Sequence, residues 1–154
     1  MSGPLFCGAS VHSLDEKSRL IVPKRFMDLI GESNAEFVLT ASPDGCLWLV
    51  DRQRFAALSA RFEGDLLDQT SRRRRLRRVI LGHAEVCTLD KSGRVLIPEV
   101  LRIYMNLGSS REVVVVGAGE FIELWSQNNW SADVTKAQHD SSLDNNITVG
   151  TAAG

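Results

Sequence analysis

The sequence predicts an α+β, β-rich fold built from two copies of one small unit packed as a pseudo-symmetric pair. Three observations predict it. "LDEKSRLIVP" from Leu14 to Pro23 returns as "LDKSGRVLIP" from Leu89 to Pro98, ungapped and 75 positions on, with Leu, Asp, Arg and Pro in register. The halves stay parallel downstream, where "FVLT" from Phe37 corresponds to "VVVV" from Val113 and "CLWLV" from Cys46 to "FIELW" from Phe121. Turn signals fall between those apolar runs, "SPDG" from Ser42 in one half and "GAGE" from Gly117 in the other.

Each half reads as a strand ending at the Asp, a turn through "EKS" or "KSG", and a second strand closed by Pro. A short helix and two further strands follow. The helices are Pro23 to Ile30 and Pro98 to Leu107, where Pro opens a first turn whose amides lack partners anyway, and Gly31 and Gly108 can close them. Residues 6–54 thus form the first unit and 82–130 the second. Between them, residues 55–81 are linking helices, with one helix from Asp51 to Glu63 and, after a break near Gly64, another from Leu66 to Leu81. A last helix is expected from about Ser126, and residues 131–154 read as a frayed tail because they are polar and "DNNITVGTAAG" cannot pack. A unit of about 50 residues buries too little apolar surface to stand alone, so the duplication supplies its partner.

The 154 residues are 44% apolar with a formal net charge of −1, which fits a globular protein with a packed core. No apolar run reaches the roughly 20 residues of a membrane span, and "MSGPLFCGAS" is not a secretory leader, so a cytoplasmic location is expected. Cys7, Cys46 and Cys87 are scattered and odd in number, which suits buried, reduced thiols and neither disulfides nor a zinc site. The glycosylation patterns at Asn129 and Asn146 are then chance matches. His12, His83 and His139 are isolated, no nucleophile setting is recognisable, and neither "HExxH" nor "GxxxxGK[ST]" occurs. No catalytic residue, metal, cofactor or small-molecule substrate is expected. His83 reads as a capping or packing residue, and Trp48, Trp125 and Trp130 as core or interface residues, not an RNA-stacking platform.

"SRRRRLRRVI" from Ser71 packs six arginines into this near-neutral chain. On a helix from Leu66 to Leu81, Leu66, Leu67, Leu76, Val79 and Ile80 share a stripe completed by Thr70 and Arg73. Arg74, Arg75 and Arg78 point away, and Gly82 ends the helix. One reading is a solvated face paired with acids such as Asp65 and Asp68. The other is an anion-binding face, because like charges three and four apart lose a few tenths of a kcal/mol per pair and call for a counter-charge. A mixed role follows: Arg73 and Arg77 pair with acids within or between subunits, and Arg74, Arg75 and Arg78 form an auxiliary basic face for phosphates.

The repeated Asp-x-x-x-Arg is more specific. A carboxylate at a strand end can bond the amides of its own turn, and an Arg four residues on can pair with it. Asp15 and Asp90 are therefore read as structural. Arg19 and Arg94, with Lys17, Lys91, Lys24 and Arg25, are read as a positive surface on a rigid β platform.

Together, "LDEKSRLIVPKRF", "SPDGCLWLV", "RRRRLRRVILGHAEVCTLDKSGRVLIPEVLRIYMNL" and "VVVVGAGEFIELWS" resemble the MraZ family of bacterial transcriptional regulators, over roughly Phe6 to Trp130. The resemblance implies two tandem SpoVT/AbrB-like swapped-hairpin domains and a homo-oligomeric ring. It also implies binding to short direct repeats in double-stranded DNA upstream of the division and cell-wall gene cluster, generally as a repressor, and association with the nucleoid. Its DNA-binding residues carry over to Arg19, Lys24 and Arg25, with Arg94 in the second copy. That copy has Glu99 and Val100 where the first has Lys24 and Arg25, so the first half is expected to read DNA and the second mainly to assemble the ring. Ser18 stands where the family usually has Gly, a departure costing about 1 kcal/mol if the position is left-handed. The alternative is an antitoxin-like DNA-binding protein of the same fold. The duplication speaks against it, since such proteins usually carry one copy.

Overall fold

A computed structural model describes residues 5–30, 36–64, 67 and 70–140. The first repeat forms β1 (Phe6–Ser13), β2 (Arg19–Ile21), α1 (Lys24–Ile30), β3 (Glu36–Ala41) and β4 (Leu47–Asp51). Two helices follow, α2 (Arg52–Ala60) and α3 (Ser71–Gly82). The second repeat forms β5 (Glu85–Thr88), β6 (Arg94–Leu96), α4 (Glu99–Tyr104), β7 (Glu112–Gly119) and β8 (Phe121–Ser126), and α5 (Gln127–His139) closes the described chain.

The repeats exchange strands. One antiparallel six-stranded sheet runs β1-β7-β8-β4-β3-β5, and β2 pairs with β6 in a separate two-stranded ribbon. β1 of the first repeat lies against β7 of the second, β5 of the second lies against β3 of the first, and β4 and β8 meet at the centre. Exchanging the repeats leaves this order unchanged, so the pair is pseudo-symmetric. Neither repeat closes its own sheet, because among the described residues its first strand pairs only with the other copy.

β3 and β7 are largely apolar on both faces because both faces are covered, and buried Thr40 of β3 donates its hydroxyl to the Ile80 carbonyl. On one side the main core gathers Leu20, Val95, Phe26, Leu101, Leu39, Leu47, Val115 and Leu124, so ribbon, short helices and sheet share one interior. The other side holds a smaller cluster of Cys46, Val114, Val116 and Trp125 with half-buried Trp48 and Trp130. Gly117 is required where β1 meets β7, since a Cβ there would sit 2.3 Å from the Cys7 backbone nitrogen. Asn129 binds the halves from α5, its Nδ2 donating to the carbonyls of Gly45 at 3.0 Å and Met105 at 3.1 Å.

Several boundaries differ from the sequence reading. α3 begins at Ser71, not at Leu66, because the Thr70 hydroxyl accepts the Arg73 N–H at 3.2 Å and caps it there. Leu67, expected on the buried stripe, is exposed, while Ile80 is buried; Leu66, Asp65, Asp68 and Gly31 lie outside the described residues. Asp51 caps α2 in the same way, accepting the Arg54 N–H at 2.8 Å. α4 stops at Tyr104, before left-handed Asn106 and Gly108. α5 continues to His139, well past the residue at which the tail is expected; residues 141–154 lie outside the description. Cys46 is buried and Cys87 half-buried, its thiol pushed up to about 11 by burial, but Cys7 is exposed on edge strand β1. His83 caps α3, its Nδ1 2.9 Å from the Val79 carbonyl and its ring against Tyr104.

Candidate nucleic-acid interface

The two Asp-x-x-x-Arg turns have the same bonding. Asp15 Oδ1 accepts the backbone N–H groups of Lys17 and Arg19, each at 2.9 Å, and its Oδ2 accepts Arg19 Nε at 2.8 Å. Asp90 Oδ1 accepts the N–H groups of Ser92 and Arg94 at 2.9 Å, and its Oδ2 accepts Arg94 Nε at 2.7 Å. The Arg19 and Arg94 backbone amides are the largest cause holding these carboxyls below their ordinary range; burial, the next largest, opposes them, and the guanidinium bonds and the other turn amides add to the lowering. Each aspartate thus fixes its arginine by Nε alone. Among the described residues the Nη atoms of Arg19 and Arg94 make no hydrogen bond, so each guanidinium keeps a pre-oriented two-donor edge. Such an edge suits a pair of phosphate oxygens or the O6 and N7 of guanine.

The turns need a left-handed residue before the arginine. Gly93 has φ +77°, and Ser18 adopts φ +62°, so the departure noted in the sequence falls on a strained position. These two residues also tie the copies together, since Val22 N donates to Gly93 O at 2.9 Å and Ile97 N donates to Ser18 O at 3.0 Å. Between them the ribbon pairs Arg19 with Leu96, Leu20 with Val95 and Ile21 with Arg94. Leu20 and Val95 point into the core, and the other four residues face outward.

This crossing mixes the two copies at each end of the ribbon. Arg94 lies at the end reached by Val22, and so beside the start of α1 with exposed Lys24 and the turn with exposed Lys91; Met27 of α1 approaches Gly93 there. Arg19 lies at the other end, with Lys17, Glu16, the Glu99 start of α4 and half-buried Arg102, whose Nη1 donates to the Ile97 carbonyl at 2.5 Å. The positive charge therefore concentrates at the Arg94 end, built from both repeats, and does not divide by repeat as the sequence suggests. Lys24 opens a helix with no acidic residue in its first turn, a placement the helix dipole disfavours by about 0.3–1 kcal/mol.

Arg25 is turned toward edge strand β1. Its Nη1 donates to Ser10 Oγ at 3.0 Å, and its guanidinium stacks 4.2 Å from the centre of the Phe26 ring. Ser10 Oγ is in turn 2.7 Å from His12 Nε2, and burial, then the Arg25 charge, lowers the His12 pKa. Sequence reasoning misses this chain of contacts because Ser10 and His12 gain meaning only once α1 packs beside β1. It also gives Ile21 and Leu96 no role, since nothing within "RLIV" or "RVLI" marks which face of the strand is buried.

On α3, Arg75 and Arg78 are exposed as expected, while Arg74 is half-buried. Arg73 donates to the Arg61 carbonyl and stacks over the Phe62 ring, 5.5 Å from its centre, in place of the expected acid. Arg77 Nη1 is buried with no hydrogen-bond partner among the described residues, so the acid expected for it is not among them either. Among those residues no group of His, Cys, Asp and Glu could hold a metal ion, and no helix is long and apolar enough to cross a membrane.

Comparison with known proteins converges on one family. The family model described as "MraZ protein, putative antitoxin-like" matches residues 5–78 and 80–148. The transcriptional regulator MraZ of Lactiplantibacillus plantarum is 38% identical over 126 residues, covering 82% of this chain and 85% of that protein. Those of Thiobacillus denitrificans and Moorella thermoacetica are each 36% identical, over 134 and 126 residues. They cover 86% and 82% of this chain, and 88% and 84% of their own lengths. With the duplicated Asp-x-x-x-Arg turns, the strand-exchanged repeats and matches along nearly its whole length, the chain belongs to the MraZ family.

Proposed function

We propose that the protein is a sequence-specific DNA-binding transcriptional regulator that acts without catalysis or cofactor. In this reading it is cytoplasmic and nucleoid-associated, and it represses the division and cell-wall gene cluster, including its own promoter, by binding short direct repeats as a homo-oligomeric ring. The observation that carries the reading is the pair of aspartate-anchored arginines on one two-stranded ribbon, each with an Nη edge that makes no hydrogen bond among the described residues. A two-stranded β ribbon is an element that the major groove of B-DNA admits.

Arg19 and Arg94 supply the oriented donors, Lys17, Lys24 and Lys91 the flanking phosphate contacts, and Arg25 a cation at the adjoining strand edge. Arg74, Arg75 and Arg78 add attraction without sequence preference. Asp15 and Asp90 set the arginine geometry and touch no DNA. The relatives' shared name, transcriptional regulator, supports this role.

The test is fluorescence anisotropy of the full chain on its own upstream duplex and on a scrambled duplex, across a salt series. Wild type prefers the upstream duplex, while Arg19→Ala and Arg94→Ala lose that preference at unchanged oligomer size. Equal binding of both duplexes by wild type refutes sequence-specific regulation.

A further inference from the structure

We infer that Ile21 and Leu96 are base-reading residues that contact the 5-methyl groups of thymine. The inference rests on the DNA-binding reading above and assigns the part of the ribbon which that reading leaves without a role.

The ribbon's inner face is fully apolar, with Leu20 and Val95 essentially buried. Its outer face holds Arg19, Leu96, Ile21 and Arg94, with the two arginines at diagonally opposite corners and the two aliphatics at the others. Ile21 is 57% exposed and Leu96 55%, although the water-facing positions of an antiparallel pair covered on one face are ordinarily polar. They add nothing to the core beneath. Two aliphatics framed by guanidinium edges, with Lys24 and Lys91 at the Arg94 end and Lys17 beside Glu16 and Glu99 at the other, match a surface that is anionic at its walls and carries small apolar groups on its floor.

The major groove of duplex DNA is such a surface. Its walls are phosphates, and the thymine methyl is the apolar group that its base edges present. Ile21 is diagonal to Leu96 across the ribbon, since each faces the other's neighbouring arginine, and such diagonal pairs are about 7–8 Å apart. At about 3.4 Å per base step, that separation sets the two methyls about two base pairs apart. The rival occupant of this face is a second copy of the chain, which would cover the same aliphatics but supplies no phosphate for the arginine edges.

The experiment replaces thymine by deoxyuridine throughout the upstream duplex, which keeps base pairing and removes only the methyls. Wild type is expected to weaken by about fourfold for each methyl lost from contact, the transfer value of one buried methyl-sized group. Ile21→Ala and Leu96→Ala, both at exposed positions, bind the thymine duplex more weakly and each discriminates less between the two duplexes; the double variant does not discriminate. Sedimentation of the same variants is unchanged. If wild type prefers the upstream duplex over a scrambled one yet is indifferent to deoxyuridine, the DNA reading stands and methyl recognition is overturned. If the variants change oligomer size while keeping wild-type discrimination, the aliphatics are a contact between copies and the inference is likewise overturned. Absence of any duplex preference removes both readings together.

Discussion

Exchanging charge between the two ends of the ribbon should shift the salt dependence of DNA binding in opposite directions. Lys24 and Lys91 flank Arg94, whereas Glu16, Lys17 and Glu99 flank Arg19. Apart from the two Asp–Arg pairs, the first end thus carries two cations, whereas at the second Lys17 and half-buried Arg102, whose Nη1 donates to the Ile97 carbonyl, balance Glu16 and Glu99. Each phosphate contact contributes about 0.9 to the slope of log affinity against log salt, so a fourfold rise in salt weakens binding by about 3.5-fold per contact. Lys24→Ala and Lys91→Ala are each expected to reduce the slope by about 0.9. Glu99→Lys, which makes the second end resemble the first, should raise it by about the same amount. Arg94→Ala should weaken binding at least as much as Arg19→Ala, although the sequence alone places the stronger reader in the first repeat. Anisotropy titrations between about 50 and 200 mM salt resolve these slopes. If Lys24→Ala leaves the slope unchanged while Lys17→Ala reduces it, the Arg94 end does not face the phosphates and the composite charge argument is refuted.

Four further outcomes follow from single contacts. Ser18→Gly should stabilise the protein by about 0.5 kcal/mol and Gly93→Ser should destabilise it by about as much. The left-handed penalty of about 1 kcal/mol is partly offset by the greater freedom of glycine in the unfolded chain, and urea denaturation reads the difference. Gly117→Ala should cost more than about 2 kcal/mol by forcing β1 off β7, whereas Gly82→Ala, in a helix with open space around it, should gain about 0.5–1 kcal/mol; thermal melts compare them. Asp15 and Asp90 have lowered folded pKa values, so their support is complete above the unfolded value of about 3.9 and is lost as pH falls through the folded value. Asp15→Asn with Asp90→Asn should accordingly flatten the acid limb of a stability–pH curve below about pH 4. The His12 pKa is lowered, so the fold favours neutral imidazole and loses that support as pH falls below about 6.5; Arg25→Ala should raise this pKa in an NMR titration of the ring protons.

Much of the architecture is legible in the chain because it rests on local chemistry. The Asp-x-x-x-Arg turns, the prolines before α1 and α4 and the glycine-containing hairpins each encode their geometry within a few residues, and the 75-residue repeat shows that the unit occurs twice. The duplicated motif, as a linear pattern, is also enough to point to the family. Helix limits are less legible where a single cap decides them. Thr70 starts α3 five residues later than the apolar stripe suggests, because one hydroxyl–amide bond outweighs a weak periodicity.

Tertiary structure alone decides which residues meet. Local chemistry suffices for two similar units, the anchored arginines and the unequal charge of the two Pro-led helices. It could not show that β1 pairs with β7 and β5 with β3, because antiparallel pairing depends on matched edges and buried faces and leaves no local mark. That exchange sets Lys24 beside Arg94 and Glu99 beside Arg19, and it leaves Ile21 and Leu96 outward on a ribbon whose other face fills the core. A run of three aliphatics reads the same whether one face or both are buried; only the packing partner distinguishes the two.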